Sequence, residues 1–210
     1  MDTSPFNKAV MGVAGAALAA TAAAQTLHFD NDASGAPPPG WTCGVTGRGN
    51  PKWTVEAHPS RPNGKVLLQS GSATFAWCVR TGVAIADGFV ETRFVPISGR
   101  EDQAGGVVWR WKDADNYYVA RANALEGNVS LYYTEGGSRK TIQYVDAPVA
   151  RNAPHVLRVE FAGDRISVFL DGTRYIDARD RHAAGAGAVG VWTKADSVTA
   201  FTEFSWGSKP

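Results

Sequence analysis

From Gln25 onward the chain breaks into short runs rich in valine, isoleucine, threonine and aromatic residues. Turn residues close each run, and no segment carries a long helical period. The predicted strands are Trp53–Ala57, Lys65–Gln69, Thr74–Arg80, Phe89–Ile97, Gly105–Trp111, Tyr117–Ala122, Val129–Thr134, Thr141–Val145, Val156–Phe161, Ile166–Leu170, Thr173–Ala178, Ala188–Thr193 and Thr199–Trp206. Closely spaced strands without intervening helices restrict the fold to an antiparallel sandwich or barrel. Two turns can be read directly. Asp171-Gly172 joins two alternating runs as a two-residue hairpin, and Gly136-Gly137 turns the chain after Val129–Thr134. The stiff Pro37-Pro38-Pro39-Gly40 stretch leads into Trp41 and is too short for a linker. There is no internal repeat and no second block of composition. Residues 25–210 therefore read as one domain, and a hydrophobic content of 44% supplies its core.

Alternation separates the faces of these strands. Leu157, Val159 and Phe161 oppose Arg158 and Glu160, and Val90 and Phe94 oppose Glu91 and Arg93. These strands are wet on one side. In the runs Gly105–Trp111 and Tyr117–Ala122, Val107, Trp109 and Trp111 oppose Val108 and Arg110, and Tyr118, Ala120 and Ala122 oppose Tyr117, Val119 and Arg121, so neither face is a plain solvent face. They are expected to be central strands with a groove on one side.

The N-terminus obeys different rules. Lys8 precedes an almost wholly small or apolar stretch, Ala9–Ala24, that ends in Ala22-Ala23-Ala24 before Gln25. Charge, apolar stretch and small-residue exit are the order of a signal peptide, and the stretch falls short of the ~20 residues a membrane span needs. Residues 1–24 are expected to be removed on export, to a secreted or periplasmic destination, with no membrane insertion afterwards. An alanine-rich helix docked on the fold is the alternative. Two cysteines, Cys43 and Cys78, suggest one disulfide in an exported protein, with two buried thiols as the other possibility. The formal charge of +1 is mixed along the chain. It shows neither the basic stripe of a nucleic-acid binder nor the polybasic cluster of an anionic-membrane binder.

Three segments carry a family resemblance. The first is Asp102-Gln103-Ala104-Gly105-Gly106-Val107-Val108-Trp109-Arg110. The second is Asp115-Asn116-Tyr117-Tyr118-Val119-Ala120-Arg121-Ala122-Asn123-Ala124-Leu125-Glu126-Gly127-Asn128, and the third is Gly190-Val191-Trp192-Thr193-Lys194-Ala195-Asp196-Ser197. With the opening Phe29-Asp30-Asn31-Asp32 and the Gly40-Trp41 turn, the chain resembles the 3-keto-disaccharide hydrolase family. That family is a laminin-G-like branch of the concanavalin A-like lectin/glucanase fold. The resemblance implies an all-β jelly roll of two curved antiparallel sheets, with sugar handled on the concave one. A shared fold does not by itself assign an activity.

Sugar sites need flat apolar surfaces for C–H faces and forked polar groups for hydroxyl pairs. The matched segments supply Arg110, Arg121, Asn123 and Lys194 as candidate polar contacts, and Trp192, Tyr118 and Trp109 as candidate platforms. Buried ion pairs and tryptophans that simply fill the core account for the same residues. No Glu-x-Asp occurs, so the alternating carboxylates of ordinary retaining glucanases are missing. Cleavage beside a ketone, which the resemblance implies, would use one base: Glu126 or Asp196, with Arg110, Arg121 or Lys194 stabilising an enolate. Calcium is the one metal the acidic turns at Asp30–Asp32 and Asp113–Asn116 could attract, and turn chemistry explains both. Three readings stay open: a glycan-binding module, a keto-glycoside hydrolase, and an exported structural or adhesion domain.

Overall fold

A computed structural model describes residues 1, 24–58 and 62–208. The expected signal peptide lies outside the described residues, apart from its two ends. In chain order the strands are β1 (Gln25–His28), β2 (Trp41–Asn50), β3 (Trp53–Ala57), β4 (Lys65–Gln69), β5 (Ser72–Ile85), β6 (Gly88–Ser98), β7 (Ala104–Asp113) and β8 (Asn116–Asn123). They continue as β9 (Asn128–Glu135), β10 (Ser138–Asp146), β11 (His155–Ala162), β12 (Arg165–Leu170), β13 (Thr173–Arg179), β14 (Gly187–Ala195) and β15 (Val198–Ser208). They form two antiparallel sheets. One runs β13-β12-β11-β6-β15-β4-β3 with β1 beside β15, and the other runs β10-β9-β8-β7-β14-β5-β2.

Every strand read from the sequence is present. The additions are β1, a four-residue strand paired with β15, and β2, whose Gly44, Gly47 and Gly49 make it read as loop, and which survives as an edge strand paired along β5. Cys43 stands directly opposite Cys78 in that pair and is bonded to it. Both hairpin turns take the expected conformation, with positive φ at Asp171 and Gly172 and at Gly136 and Gly137. The strands β7 and β8 are central, as their two-faced patterning requires.

The core lies between the sheets. Val107, Trp109, Tyr118, Ala120, Leu131 and Val191 from the seven-stranded sheet meet Val90, Phe94, Leu157, Val159, Phe161 and Phe204 from the other. The opposite face of the seven-stranded sheet has a second apolar cluster, with Trp77, Val79, Val108, Tyr117, Val119, Tyr132 and Trp192 all buried. Curvature explains how an outward face can be buried. Five strand spacings separate β10 from β5, about 24 Å along a flat sheet at ~4.8 Å each. Yet the guanidinium of Arg139 on β10 lies 4.5 Å from the Phe75 ring on β5. Thr46 on β2 likewise reaches the Tyr117 hydroxyl on β8, at 2.8 Å. The sheet must curl inward to bring these groups together, so this face is concave.

Candidate functional site

The polar end of the concave face is organised around Arg121. Register alone assembles most of it: Arg121 on β8 stands opposite Ser130 on β9 and Gly106 on β7, and Gly106 stands opposite Trp192 on β14. A Cβ at Gly106 would come 3.3 Å from the Cβ of Arg121 and 3.4 Å from Cε3 of Trp192, so the bare glycine leaves room for both. Arg121 is 3% exposed and donates to two carboxylates. Its Nη1 donates to Oδ1 of Asp102 at 2.9 Å, and its Nη2 donates to Oε2 of Glu126 at 2.6 Å. Asp102 is fully buried and also accepts from Nδ2 of Asn123 at 2.6 Å and from the Lys194 ammonium. Glu126 is 35% exposed at its side chain and also accepts from Nδ2 of Asn128 at 2.8 Å. That amide donates in turn to the Tyr144 hydroxyl at 2.5 Å. Tyr144 on β10 is 49% exposed, an uncovered ring beside the charged cluster.

The electrostatics follow from this wiring. Burial raises the Glu126 pKa, but the Asn128 amide and the Arg121 and Lys194 cations outweigh it and hold the carboxyl below its ordinary range. The two catalytic candidates differ in surroundings. Asp196 sits in the turn after β14. Burial raises its pKa, but the backbone N–H groups of Arg100, Glu101 and Asp102, at 2.7, 3.0 and 3.1 Å, bring it lower on balance. Asp196 therefore fastens the turn that delivers Asp102. Asn123 plays a similar part: its Oδ1 accepts from the backbone N–H of Leu125 at 2.9 Å, at the turn that presents Glu126.

The remaining expected site residues lie elsewhere. Trp109 and Tyr118 point into the core between the sheets, with Trp109 stacked on Tyr118 and Phe161 at 5.3 and 5.9 Å. Alternation put them on the side of the sheet that the opposite sheet covers. The Tyr118 hydroxyl donates to Asp180 at 2.5 Å, and burial and that carboxylate push its pKa up. Arg110 ties loops together near the far end of β7, donating to Ala86 O at 2.9 Å, Gly163 O at 2.8 Å and Asp87 at 3.2 Å. Trp192 does lie on the concave face, but it is fully buried under Phe75 and Arg139. Sequence reasoning did not single out Asp102, Asn128, Tyr144 or Arg139. Asp102 and Asn128 lie inside matched segments, and Tyr144 and Arg139 come from β10, whose alternation alone did not show which face was concave.

Among the described residues no group of three or more histidine, cysteine, aspartate or glutamate side chains is arranged to hold a metal ion. A separate cleft of about 590 Å³ lies on the outer face of the eight-stranded sheet, with Val66, Val95, Ile97, Pro154 and Ala200 in its wall. It involves none of the residues in the matched segments.

No family model matches the chain. It is 29% identical over 155 residues to levanase of Bacillus subtilis (strain 168), a match that takes in 73% of this chain and 21% of levanase. The chain thus spans about a fifth of that relative. A carbohydrate-binding module, CBM66 from Bacillus subtilis, superposes with a TM-score of 0.67 at 25% identity, over 80% of this chain and 96% of the module. Bacillus licheniformis beta-glucanase superposes with a TM-score of 0.57 at 12% identity, over 92% of this chain and 100% of the enzyme. Lectin II from Ulex europaeus gives 0.59 at 11%, over 87% and 97%. The fold is therefore the concanavalin A-like jelly roll common to glucanases, lectins and carbohydrate-binding modules.

Proposed function

We propose that the chain is an exported carbohydrate-binding module whose ligand rests on the concave sheet against Arg121, Glu126, Lys194 and Tyr144. The observation that carries this reading is the Arg121 hub, where one buried guanidinium holds two carboxylates in fixed orientation. Such a hub fixes the partly exposed Glu126 carboxylate as an acceptor for sugar hydroxyls, and the exposed Tyr144 ring offers a face for sugar C–H groups. Likeness to a carbohydrate-binding module over most of both chains supports the same reading. The match to part of levanase makes levan the first glycan to test. Export through residues 1–24 accords with the Cys43–Cys78 disulfide, which persists in oxidising compartments.

Hydrolysis of 3-keto-glycosides is the second reading, favoured by a carboxylate, Glu126, set between the charges of Arg121 and Lys194. The same setting weakens Glu126 as a base. A general base works best with a pKa near the operating pH, whereas Glu126 is held low. Asp196 has both oxygens engaged by backbone N–H groups. Calorimetry with levan oligosaccharides, run beside product analysis with a 3-keto-glucoside, separates the two. Binding without turnover, lost in Glu126→Gln, is expected. Turnover of the keto sugar that Glu126→Gln abolishes would establish the enzyme instead.

A further inference from the structure

Arg139 is a cation without a counter-ion. It projects from the edge strand β10 across the concave face. Its guanidinium carbon lies 4.2 Å from the Tyr132 ring centroid, 4.5 Å from that of Phe75 and 5.7 Å from that of Trp192. Among the described residues it makes no salt bridge, and its buried Nη1 has no hydrogen-bond partner. The nearby carboxylates are already committed, Asp102 to Arg121 and Lys194, and Glu126 to Arg121. Rings attract a guanidinium by its charge but do not satisfy its N–H groups in their own plane. A second nitrogen in the same region, Nε of Arg121, is also buried without a hydrogen-bond partner. The guanidinium carbon of Arg121 lies 5.8 Å from the centroid of the same Tyr132 ring. Arg121, Lys194 and Arg139 thus set three cations against the two carboxylates of Asp102 and Glu126. A partly buried, unpaired charge is costly unless something supplies the missing acceptor.

We propose that the ligand of this groove is an anionic glycan, and that its carboxylate or sulfate pairs with the guanidinium of Arg139 over the floor of Phe75 and Tyr132. The inference rests on the glycan-binding reading above and adds charge to it. A planar acidic group would accept two parallel N–H bonds from the arginine fork. The sugar ring carrying it would then extend towards Arg121 and Glu126.

The test is calorimetry at low salt on the full chain with four probes of equal length: a galacturonate oligosaccharide, a sulfated galactose oligosaccharide, a neutral galactose oligosaccharide and a levan oligosaccharide. An acidic probe is expected to bind about tenfold or more tightly than its neutral counterpart, the range of one charge-assisted hydrogen bond. That advantage should shrink as salt is added. Preference for the uronate assigns a carboxylate, and preference for the sulfated probe assigns a sulfate. In Arg139→Gln the acidic and neutral probes should bind alike, while Arg139→Lys should keep part of the difference. Unchanged circular dichroism would show that both variants fold. Equal or tighter binding of a neutral probe, levan included, by the unaltered protein overturns the inference and leaves the glycan-binding reading in place. Retained acid preference in Arg139→Gln overturns the role of Arg139. Binding of none of the four overturns both readings.

Discussion

Arg121 is the residue on which the polar end of the groove depends. Its side chain is 3% exposed and the Asp102 side chain 0%, so each buried charge leans on the other, with Glu126 and Lys194 as their further partners. Breaking one side of a buried pair usually costs more than removing both charges together, because the survivor stays buried and unpaired. Arg121→Met should destabilise the protein by roughly 3–5 kcal/mol. The double variant Arg121→Met/Asp102→Asn should cost less than that single change. Urea unfolding of the two variants checks the order, and a double variant as unstable as the sum of its parts would contradict it. The sequence marked Arg121, Glu126 and Lys194 because they fall in motif-like segments. It did not reveal that Asp102 binds Arg121 and Lys194, because residues far apart in the chain meet only once β7, β8 and β14 have paired.

At the scale of elements, the turn between β6 and β7 matters most. It sets the position of Asp102, and Asp196 holds it by accepting from three successive N–H groups. Gly99 makes the turn possible. It has φ 151°, and a Cβ there would lie 1.7 Å from the carbonyl oxygen of Asp102. Asp196 thus reaches the Arg121 cluster through the position it gives Asp102. Asp196→Ala should lower stability by about 1–3 kcal/mol, the cost of leaving donors unmatched, and should weaken glycan binding. Asp196→Asn, which keeps one acceptor oxygen, should recover part of both. Paired calorimetry and thermal melts decide this. Full affinity in Asp196→Ala would show that the turn holds its shape without the carboxylate.

For the molecule as a whole, acid stability follows from four carboxylates whose pKa values are lower in the folded state. In each, burial works against the shift and hydrogen bonds or cations prevail: Glu126 falls below 4.5, and Asp164, Asp180 and Asp196 below 3.8. A carboxyl with a depressed folded pKa stabilises the protein at pH above its unfolded value. That contribution is lost as pH falls through the folded value. The share due to these groups should be constant above pH 5 and decline below about 4. Glu126→Gln should reduce the slope of the decline, which urea midpoints measured against pH would show. An unchanged slope would place the acid sensitivity elsewhere. The sequence by itself determined that the chain is an antiparallel sandwich, where its strands lie and which turns join them. Those properties rest on local alternation and on the φ angles that residues such as Asp171 and Gly172 accept. Only the tertiary structure decided which aromatic side chains are core and which line the groove. Alternation says that Trp109 and Trp192 occupy faces, but not which face the other sheet covers or which way the sheet curls. That curl brings Arg139 across five strand spacings to Phe75. It is a property of the closed sandwich, not of any one strand.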